Sequence, residues 1–332
     1  MKNKKIHYVV LLIFTILVLY FALKDDYESI TSAILKMNPL WLILSLILMI
    51  IFLLFKAAIT KTYVNFYREG YTLSQAFRLR VETMFFDGIT PFSSGGGPYH
   101  IVSLKKAGLR IINGANVMVI SSLLYQLSLC TFMTISVILN LSLNLFPDST
   151  TIRYFSIFGY AVCFIVLACL LLIMFNHKFN ESIVKIVIKL LNKVKIVKNK
   201  DEVIQKWKDY VDSLNEGSKL IRKDRKTFIK CYLYSLMGLF AYIMIPYTVA
   251  RGMNIVSFGI LETFITTSYV LMIGMFVPIP GGTGGMEYSF SNLYSNFIFG
   301  PTVNAVMLVW RFITYYLGII LGGIALNIRK RK

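Results

Sequence analysis

A run of prolines and glycines with one acidic side chain is the part of this sequence best suited to bind a charged ligand. It spans Pro278–Tyr288 and directly follows a long apolar run. Proline removes a backbone donor and glycine has a low helix propensity, so an ordinary helix cannot continue through the run. Backbone N–H groups freed by such a break can bind phosphate or carboxylate. We predict that these groups come from Gly281, Gly282, Gly284 and Gly285.

A second break lies upstream and repeats the pattern. Segment 88–98 reads Gly-Ile-Thr-Pro-Phe-Ser-Ser-Gly-Gly-Gly-Pro. Paired Gly/Pro breaks in corresponding parts of two halves indicate a transporter-type site. The clustering with Ser and Thr favours irregular backbone lining a polar cavity, although glycines can also simply allow close helix approach. Here the predicted binding residues are Asp87, Thr90, Ser93, Ser94, Gly95, Gly96 and Gly97.

Ionisable side chains inside apolar spans cost about 2.5–3.5 kcal/mol on insertion scales and so indicate function by default. The candidates are Glu82, Asp87, Glu262, Glu287 and Arg311. Glu287 and Arg311 are the strongest, because apolar or aromatic residues flank both and the two can pair across the second break. A purely structural ion pair is the alternative. Tyr315, on the same helix as Arg311, is a further site candidate, with packing as its alternative role.

The composition identifies an integral membrane protein. Of the 332 residues, 56% are hydrophobic and 15% are charged, whereas a soluble domain carries about 25% charged residues. The net charge of +19 comes from basic residues beside apolar spans. Anionic lipid headgroups of the membrane are therefore the expected partners, rather than nucleic acid.

No metal, cofactor or nucleotide site is predicted. The four cysteines lie in apolar runs without C-x-x-C spacing, and the three histidines are scattered. Neither a G-x-x-x-x-G-K-[ST] loop nor a G-x-G-x-x-G motif after a strand occurs. The sequence does not indicate an oligomeric state.

Hydropathy predicts an all-α polytopic membrane protein with about seven or eight transmembrane helices and two Gly/Pro-rich broken or re-entrant segments. The chain, 1–332, is expected to form a single membrane domain. Lys56 and Lys61 are expected to snorkel at the end of the second span, and 62–80 is expected to lie at the interface. The predicted spans are about 6–23, 40–59, 115–141, 152–175, 228–249, 256–277 and 302–327, with broken segments at 81–104 and 278–299.

Basic residues set the expected orientation. The N-terminus and the segments 61–80, 105–110 and 177–226 are rich in Lys and Arg, so we expect them on the cytoplasmic side. The 177–226 region is either a basic amphipathic surface helix or a solvated loop. Seven crossings would leave the basic C-terminus outside. We therefore expect 278–299 to make a net crossing, unlike 81–104, which places the C-terminus in the cytoplasm.

At the two breaks the sequence resembles a known family. Three stretches carry the resemblance: Gly88-Ile-Thr-Pro-Phe-Ser-Ser-Gly-Gly-Gly-Pro-Tyr, Pro278-Ile-Pro-Gly-Gly-Thr-Gly-Gly-Met-Glu and Trp310-Arg311-Phe-Ile-Thr-Tyr-Tyr. They are similar to the transmembrane region of the lysylphosphatidylglycerol synthase (multiple peptide resistance factor) family. In full-length members this region is the flippase, and a second membrane block with a soluble C-terminal domain transfers lysine from lysyl-tRNA. The resemblance implies the translocating half without the synthase domain.

The resemblance and the breaks together predict flipping of a phospholipid, such as lysyl-phosphatidylglycerol, across the cytoplasmic membrane, with resistance to cationic antimicrobial peptides as the benefit. Backbone amides and Arg311 would receive the phosphate, while Glu287 and Asp87 would meet a lysyl or other cationic group. Two alternatives remain: lysyl transfer to phosphatidylglycerol itself, and anchoring of a separately encoded synthase or other lipid-modifying enzyme through the 177–226 region.

Overall fold

The computed structural model describes residues 27–146, 150–176, 217–219, 221–275, 277–300 and 302–328. Within these ranges the chain is helical and contains no strand, which confirms the all-α polytopic fold. Five of the described helices are long and apolar enough to cross a membrane, and a shorter apolar helix covers Ile260–Gly274. The predicted span 6–23 and most of the basic region 177–226 lie outside the described residues.

Two of the span-length helices contain an irregular turn. The first lies at Met244, between α7 (Arg225–Ile243) and α8 (Ile245–Gly252). The helix is interrupted there because Pro246 lacks the N–H that a continuous helix would use. A π-helical turn at Phe312–Tyr316 joins α11 to α12, and we call this continuous element the α11–α12 rod. In chain order the helices are α1 (Tyr27–Lys36), α2 (Pro39–Asn65), α3 (Leu73–Ile89), α4 (Gly96–Lys106), α5 (Ile111–Leu143), α6 (Thr150–Phe175), α7 (Arg225–Ile243), α8 (Ile245–Gly252), α9 (Ile260–Gly274), α10 (Gly285–Tyr294), α11 (Thr302–Arg311) and α12 (Leu317–Ile328).

The segment 62–80 does not form an interfacial helix. α2 continues to Asn65, and a new helix, α3, starts at Leu73. Its start is fixed by a capping box: the Gln75 N–H donates to Thr72 Oγ1 at 3.2 Å, and the Thr72 N–H donates to Gln75 Oε1 at 2.9 Å. Arg78 and Arg80, two of the polar residues that suggested an interface, therefore lie on a helix that enters the bundle.

Each Gly/Pro break forms the tip of a helical hairpin. α4 folds back along α3, where the Tyr99 hydroxyl donates to Glu82 Oε2 at 2.6 Å and the Tyr99 and Phe86 rings stack with centroids 4.3 Å apart. α10 folds back along α9 in the same way, and the hydroxyls of Thr267 and Tyr294 are 2.7 Å apart. Both broken segments are thus closed by contacts between their own arms.

The structure corrects the expectation that 278–299 makes a net crossing. α10 has 10 residues and α9 has 15, so the two are about 15 and 22 Å long. Neither length reaches across a hydrocarbon core of roughly 30 Å. The second break is therefore re-entrant like the first, and the two breaks follow similar paths rather than unequal ones.

The hairpins approach the middle of the bundle from opposite ends. The α11–α12 rod contacts the base of the second hairpin at one end, where Ser291 Oγ donates to Asn304 Oδ1 at 2.9 Å. It contacts the base of the first hairpin at the other end, where Arg78 Nη2 donates to the Ala325 carbonyl at 3.2 Å. The two tips contact each other between these ends. Inverted broken helices that meet at mid-depth are typical of transporter binding sites.

Candidate functional site

A central cavity of about 360 Å³ lies between the two tips. Its wall is formed by side chains from α2, α3, α5, α7, α9 and the α11–α12 rod, together with residues of both tips. The volume is within the range of small-molecule sites. It can hold a polar headgroup but not the acyl chains of a lipid.

Two cations in the cavity wall lie deep in the bundle. Lys56 of α2 and Arg80 of α3 both line the cavity. Arg80 donates to Thr60 Oγ1 from Nε at 3.0 Å and from Nη2 at 2.7 Å, and Lys56 Nζ lies 4.9 and 4.7 Å from the ring centroids of Phe52 and Tyr125. Neither cation forms an ion pair among the described residues. Both side chains are half-buried. Because a partly buried cation gains from a direct contact with an anion, this wall favours an anionic ligand.

Arg311 is the third cation in the wall, and its side chain is 3% exposed. Its Nε lies 2.7 Å from Glu287 Oε1, in an ion pair rather than an aligned hydrogen bond. Its guanidinium carbon lies 4.4 Å from the Tyr315 ring centroid, and Nη2 donates to Thr283 Oγ1 at 3.4 Å. Glu287 is not part of the cavity wall. Glu287 and Thr283, which lie outside the wall, therefore fix the position of the Arg311 side chain at the cavity.

Asp87 supplies a carboxylate to the same wall. It accepts a hydrogen bond from the backbone N–H of Gly96, at the start of α4. A β-carbon at Gly96 would overlap this carboxylate, so glycine is required for the close approach. The positive end of the α4 dipole stabilises the negative charge. The described wall thus holds three cations and one carboxylate, and Glu287 balances Arg311 from outside the wall. One positive charge remains in excess.

The two tips have almost the same backbone. Thr90 and Ile279 have φ/ψ angles of −117/144° and −114/146°, and each precedes a proline. Two residues with positive φ follow in both tips: 54° at Phe92, 52° at Ser93, 66° at Gly281 and 65° at Gly282. The two breaks are therefore alike in backbone conformation as well as in sequence.

Some of the predicted site residues line the central cavity, whereas others make contacts within the two tips. Thr90 Oγ1 donates to the Phe86 carbonyl at 2.7 Å and accepts from the Gly95 N–H at 2.8 Å. Glu287 Oε2 accepts from the Gly284 N–H at 2.7 Å. The predicted residues that line the cavity are Asp87, Ser93, Gly281, Gly282, Arg311 and Tyr315, and those that do not are Thr90, Ser94, Gly95, Gly96, Gly97, Gly284, Gly285 and Glu287.

Two other acidic candidates have structural roles. Glu82 is fully buried, and Arg78 Nε donates to its Oε1 at 3.0 Å. Glu262 Oε2 accepts from the Gly259 N–H at 2.9 Å and so caps α9. Neither carboxylate lines the central cavity.

Sequence reasoning missed Lys56 and Arg80 as site residues. Lys56 was expected to snorkel because the second span was expected to end at 59. α2 continues to Asn65, so Lys56 lies nine residues, or about 13 Å, from its end. A signal was present in the spacing of Phe52, Lys56 and Thr60, which places one basic and one hydroxyl side chain on a shared helix face.

Comparisons with known proteins agree with the fold. The sequence profile of the lysylphosphatidylglycerol synthase transmembrane region matches residues 8–322. A UPF0104 membrane protein of Archaeoglobus fulgidus is similar to this chain, with 25% identity over 317 residues that cover 90% of each protein.

Proposed function

This chain belongs to the family of lysylphosphatidylglycerol synthase transmembrane regions, and from that premise we propose that it translocates a phospholipid across the cytoplasmic membrane. Lysyl-phosphatidylglycerol is the representative substrate. The headgroup enters the central cavity between the tips while the acyl chains stay in lipid. The observation that carries the proposal is the surplus of positive charge in the wall, where Lys56 and Arg80 face a single carboxylate, Asp87, while Arg311 is already paired with Glu287 outside the wall.

The charges of the wall fit the two ends of such a headgroup. A lipid phosphate offers the negative charge that the cations lack, and guanidinium groups bind phosphate through paired hydrogen bonds. Asp87 offers an acceptor for the ammonium of a lysyl group. An unmodified anionic headgroup would use the cations alone, so the site is compatible with both anionic and aminoacylated lipids.

We place the end of the bundle that carries the base of α3 and the C-terminal end of α12 in the cytoplasm. Basic residues concentrate at that end, as expected for cytoplasmic segments: Lys105, Lys106, Arg110, Arg222, Lys223, Arg225 and Lys226. Both termini are then cytoplasmic. Moving lysyl-lipid to the outer leaflet would lower the negative surface charge that attracts cationic antimicrobial peptides.

Reconstitution into liposomes tests the proposal. Wild type should equalise fluorescent phosphatidylglycerol or lysyl-phosphatidylglycerol between leaflets, as read by quenching of the outer leaflet with dithionite. Arg311→Ala, Glu287→Gln and Lys56→Met should each slow this exchange. Lys36→Met, which removes an exposed lysine that lines neither the cavity nor its approaches, is the matched control.

Two results would count against this function. One is a wild-type rate no higher than that of empty liposomes. The other is unchanged flipping and unchanged survival of cells against cationic peptides in the Arg311 and Glu287 variants. Formation of lysyl-lipid by the purified chain from lysyl-tRNA would establish the transferase alternative instead.

A further inference from the structure

A groove of about 460 Å³ lies outside the central cavity, between α2, the start of α3 and α7. Lys61 of α2 and Lys230 of α7 line it, together with Thr62 and Thr227. No carboxylate is part of its lining, and neither lysine forms an ion pair among the described residues. The groove is thus a second positively charged site, at the basic end of the bundle.

The flank of this groove is apolar and exposed. Phe66 and Leu73 line the groove and are 42% and 39% exposed, and Ile229 and Leu233 on α7 are 56% and 51% exposed. In a membrane protein such side chains face the acyl chains of lipids. Cations beside an exposed apolar flank match a phospholipid, since a free phosphate would account for the lysines alone.

A small pocket, which we call the gap, shares lining residues with both the groove and the central cavity. Tyr234 lines both the groove and the gap, whereas Lys56 and Arg80 line both the gap and the cavity. The gap has a volume of about 10 Å³, which is space for roughly one water molecule. The rings of Phe55 and Tyr234, with centroids 5.5 Å apart, pack beside it. A β-carbon on Gly238 would lie 3.1 Å from Phe55 Cβ, so α7 packs tightly against α2 at this point.

We propose that the groove loads an anionic phospholipid from the leaflet at the basic end, and that Phe55 and Tyr234 form the gate between the groove and the cavity. The cations then lie in series, from Lys61 and Lys230 in the groove to Lys56 beyond the gate. Passage of the headgroup requires the two rings to separate. This inference rests on the proposed function for the onward step, but lipid binding in the groove is independent of transport.

Lipid binding is measured with the full chain in detergent, by native mass spectrometry with added phosphatidylglycerol or phosphatidylcholine. The test variant combines Lys61→Gln and Lys230→Gln, and the control combines Lys36→Gln and Arg153→Gln, two exposed cations elsewhere on the molecule. A basic residue near an anionic surface is worth about fivefold in binding. The test variant should therefore bind phosphatidylglycerol at least about tenfold more weakly, with phosphatidylcholine unchanged and inorganic phosphate unable to compete.

Equal retention of phosphatidylglycerol by the test and control variants would overturn the loading site, and so would displacement of the lipid by inorganic phosphate. If the test variant loses lipid while the wild type does not flip, the groove stands and the proposed function falls. If Arg311→Ala abolishes flipping but the paired lysine changes do not alter it, the proposed function stands and the loading route falls.

The gate has its own test in the same liposomes. Tyr234→Ala should speed flipping of phosphatidylglycerol severalfold, because it removes one of the two rings that close the gap. Gly238→Val should slow it, because the added side chain meets Phe55. Thermal unfolding of both variants reports whether they fold. A folded Tyr234→Ala protein with the wild-type flipping rate would contradict the gate.

Discussion

The two hairpins share a backbone path and use it differently. In the first, α3 carries charge into the cavity through Arg80 and Asp87. In the second, α9 and its tip supply backbone and apolar surface, including Gly274, Gly281 and Gly282. The carboxylate of the second hairpin, Glu287, lies outside the cavity wall and pairs with the rod instead. The two similar breaks therefore set the shape of the site, and the side chains of each hairpin decide which part of the cavity wall is charged.

The acids also hold the hairpins in different ways. Asp87 reaches from α3 across the first tip to the N–H of Gly96, so it ties the two arms of one hairpin together. Glu287 caps its own helix through Gly284 and contacts Arg311 on a third element. The carboxylate of Asp87 thus joins the two arms of the first hairpin, whereas that of Glu287 joins the second hairpin to the rod.

The largest expected effect tests this difference in fastening. Glu287→Gln leaves the guanidinium of Arg311, which is 3% exposed, without its anion, and breaking such a buried pair costs about 3–5 kcal/mol. The corresponding change in the first hairpin, Asp87→Asn, keeps an oxygen that can accept from Gly96 and should cost less than about 1.5 kcal/mol. Denaturant unfolding in detergent measures both, and similar losses would mean that the hairpins are held alike.

The next effect concerns the glycines of the second tip. Gly281→Ala forces a side chain into positive φ and against the Tyr315 ring. Overpacking and the left-handed conformation together should cost about 2–4 kcal/mol. Gly284 also has positive φ, but a β-carbon there meets nothing within 4 Å. Gly284→Ala should then cost only about 1–2 kcal/mol, and a larger loss at Gly284 in thermal unfolding would refute the role of Tyr315.

A smaller effect separates the hydroxyls of the two tips. Thr90→Val removes the acceptor of the Gly95 N–H, and an unsatisfied donor costs about 1–2 kcal/mol. Thr283→Val in the second tip loses a donor to the Pro280 carbonyl at 2.8 Å and a long acceptor for Arg311 Nη2 at 3.4 Å. No backbone N–H is orphaned, so this change should cost less. Amide hydrogen exchange should therefore accelerate more around Gly95 in Thr90→Val than around the second tip in Thr283→Val. Equal acceleration would argue against a special role for Thr90.

The smallest effect has the opposite sign. Phe92 adopts a φ of 54° although it is not glycine, at a cost of about 1–2 kcal/mol, and its side chain is 60% exposed. Phe92→Gly relieves this strain, but glycine loses about 0.5–1 kcal/mol more chain entropy on folding. The free energy of unfolding should therefore rise by up to about 1 kcal/mol. Ile279→Gly in the second tip is the control, because Ile279 has an ordinary extended φ of −114°. That change should only destabilise.

The sequence revealed the tips because proline and glycine interrupt apolar runs visibly. It did not reveal the path of 278–299, since hydropathy measures the length of a segment and not whether it folds back. The contact that closes the second hairpin joins Thr267 to Tyr294, which is a tertiary pairing with no local signature. Arg80 was assigned to an interfacial segment, because the mixed polarity of 62–80 hid the start of α3 seven residues before it.

The π-helical turn in the α11–α12 rod rotates the second half of the rod about its axis relative to the first half. Such a turn holds one extra residue, and one residue rotates everything beyond it by about 100°. Before the turn, Trp310 stacks on Phe290 of the second hairpin. After it, Gly318 and Gly322 lie against α3 of the first hairpin. Deleting one residue from the turn would restore a continuous α-helix and swing those glycines away from α3. The irregular turn thus lets the two halves of the rod pack against different hairpins, each with its own face.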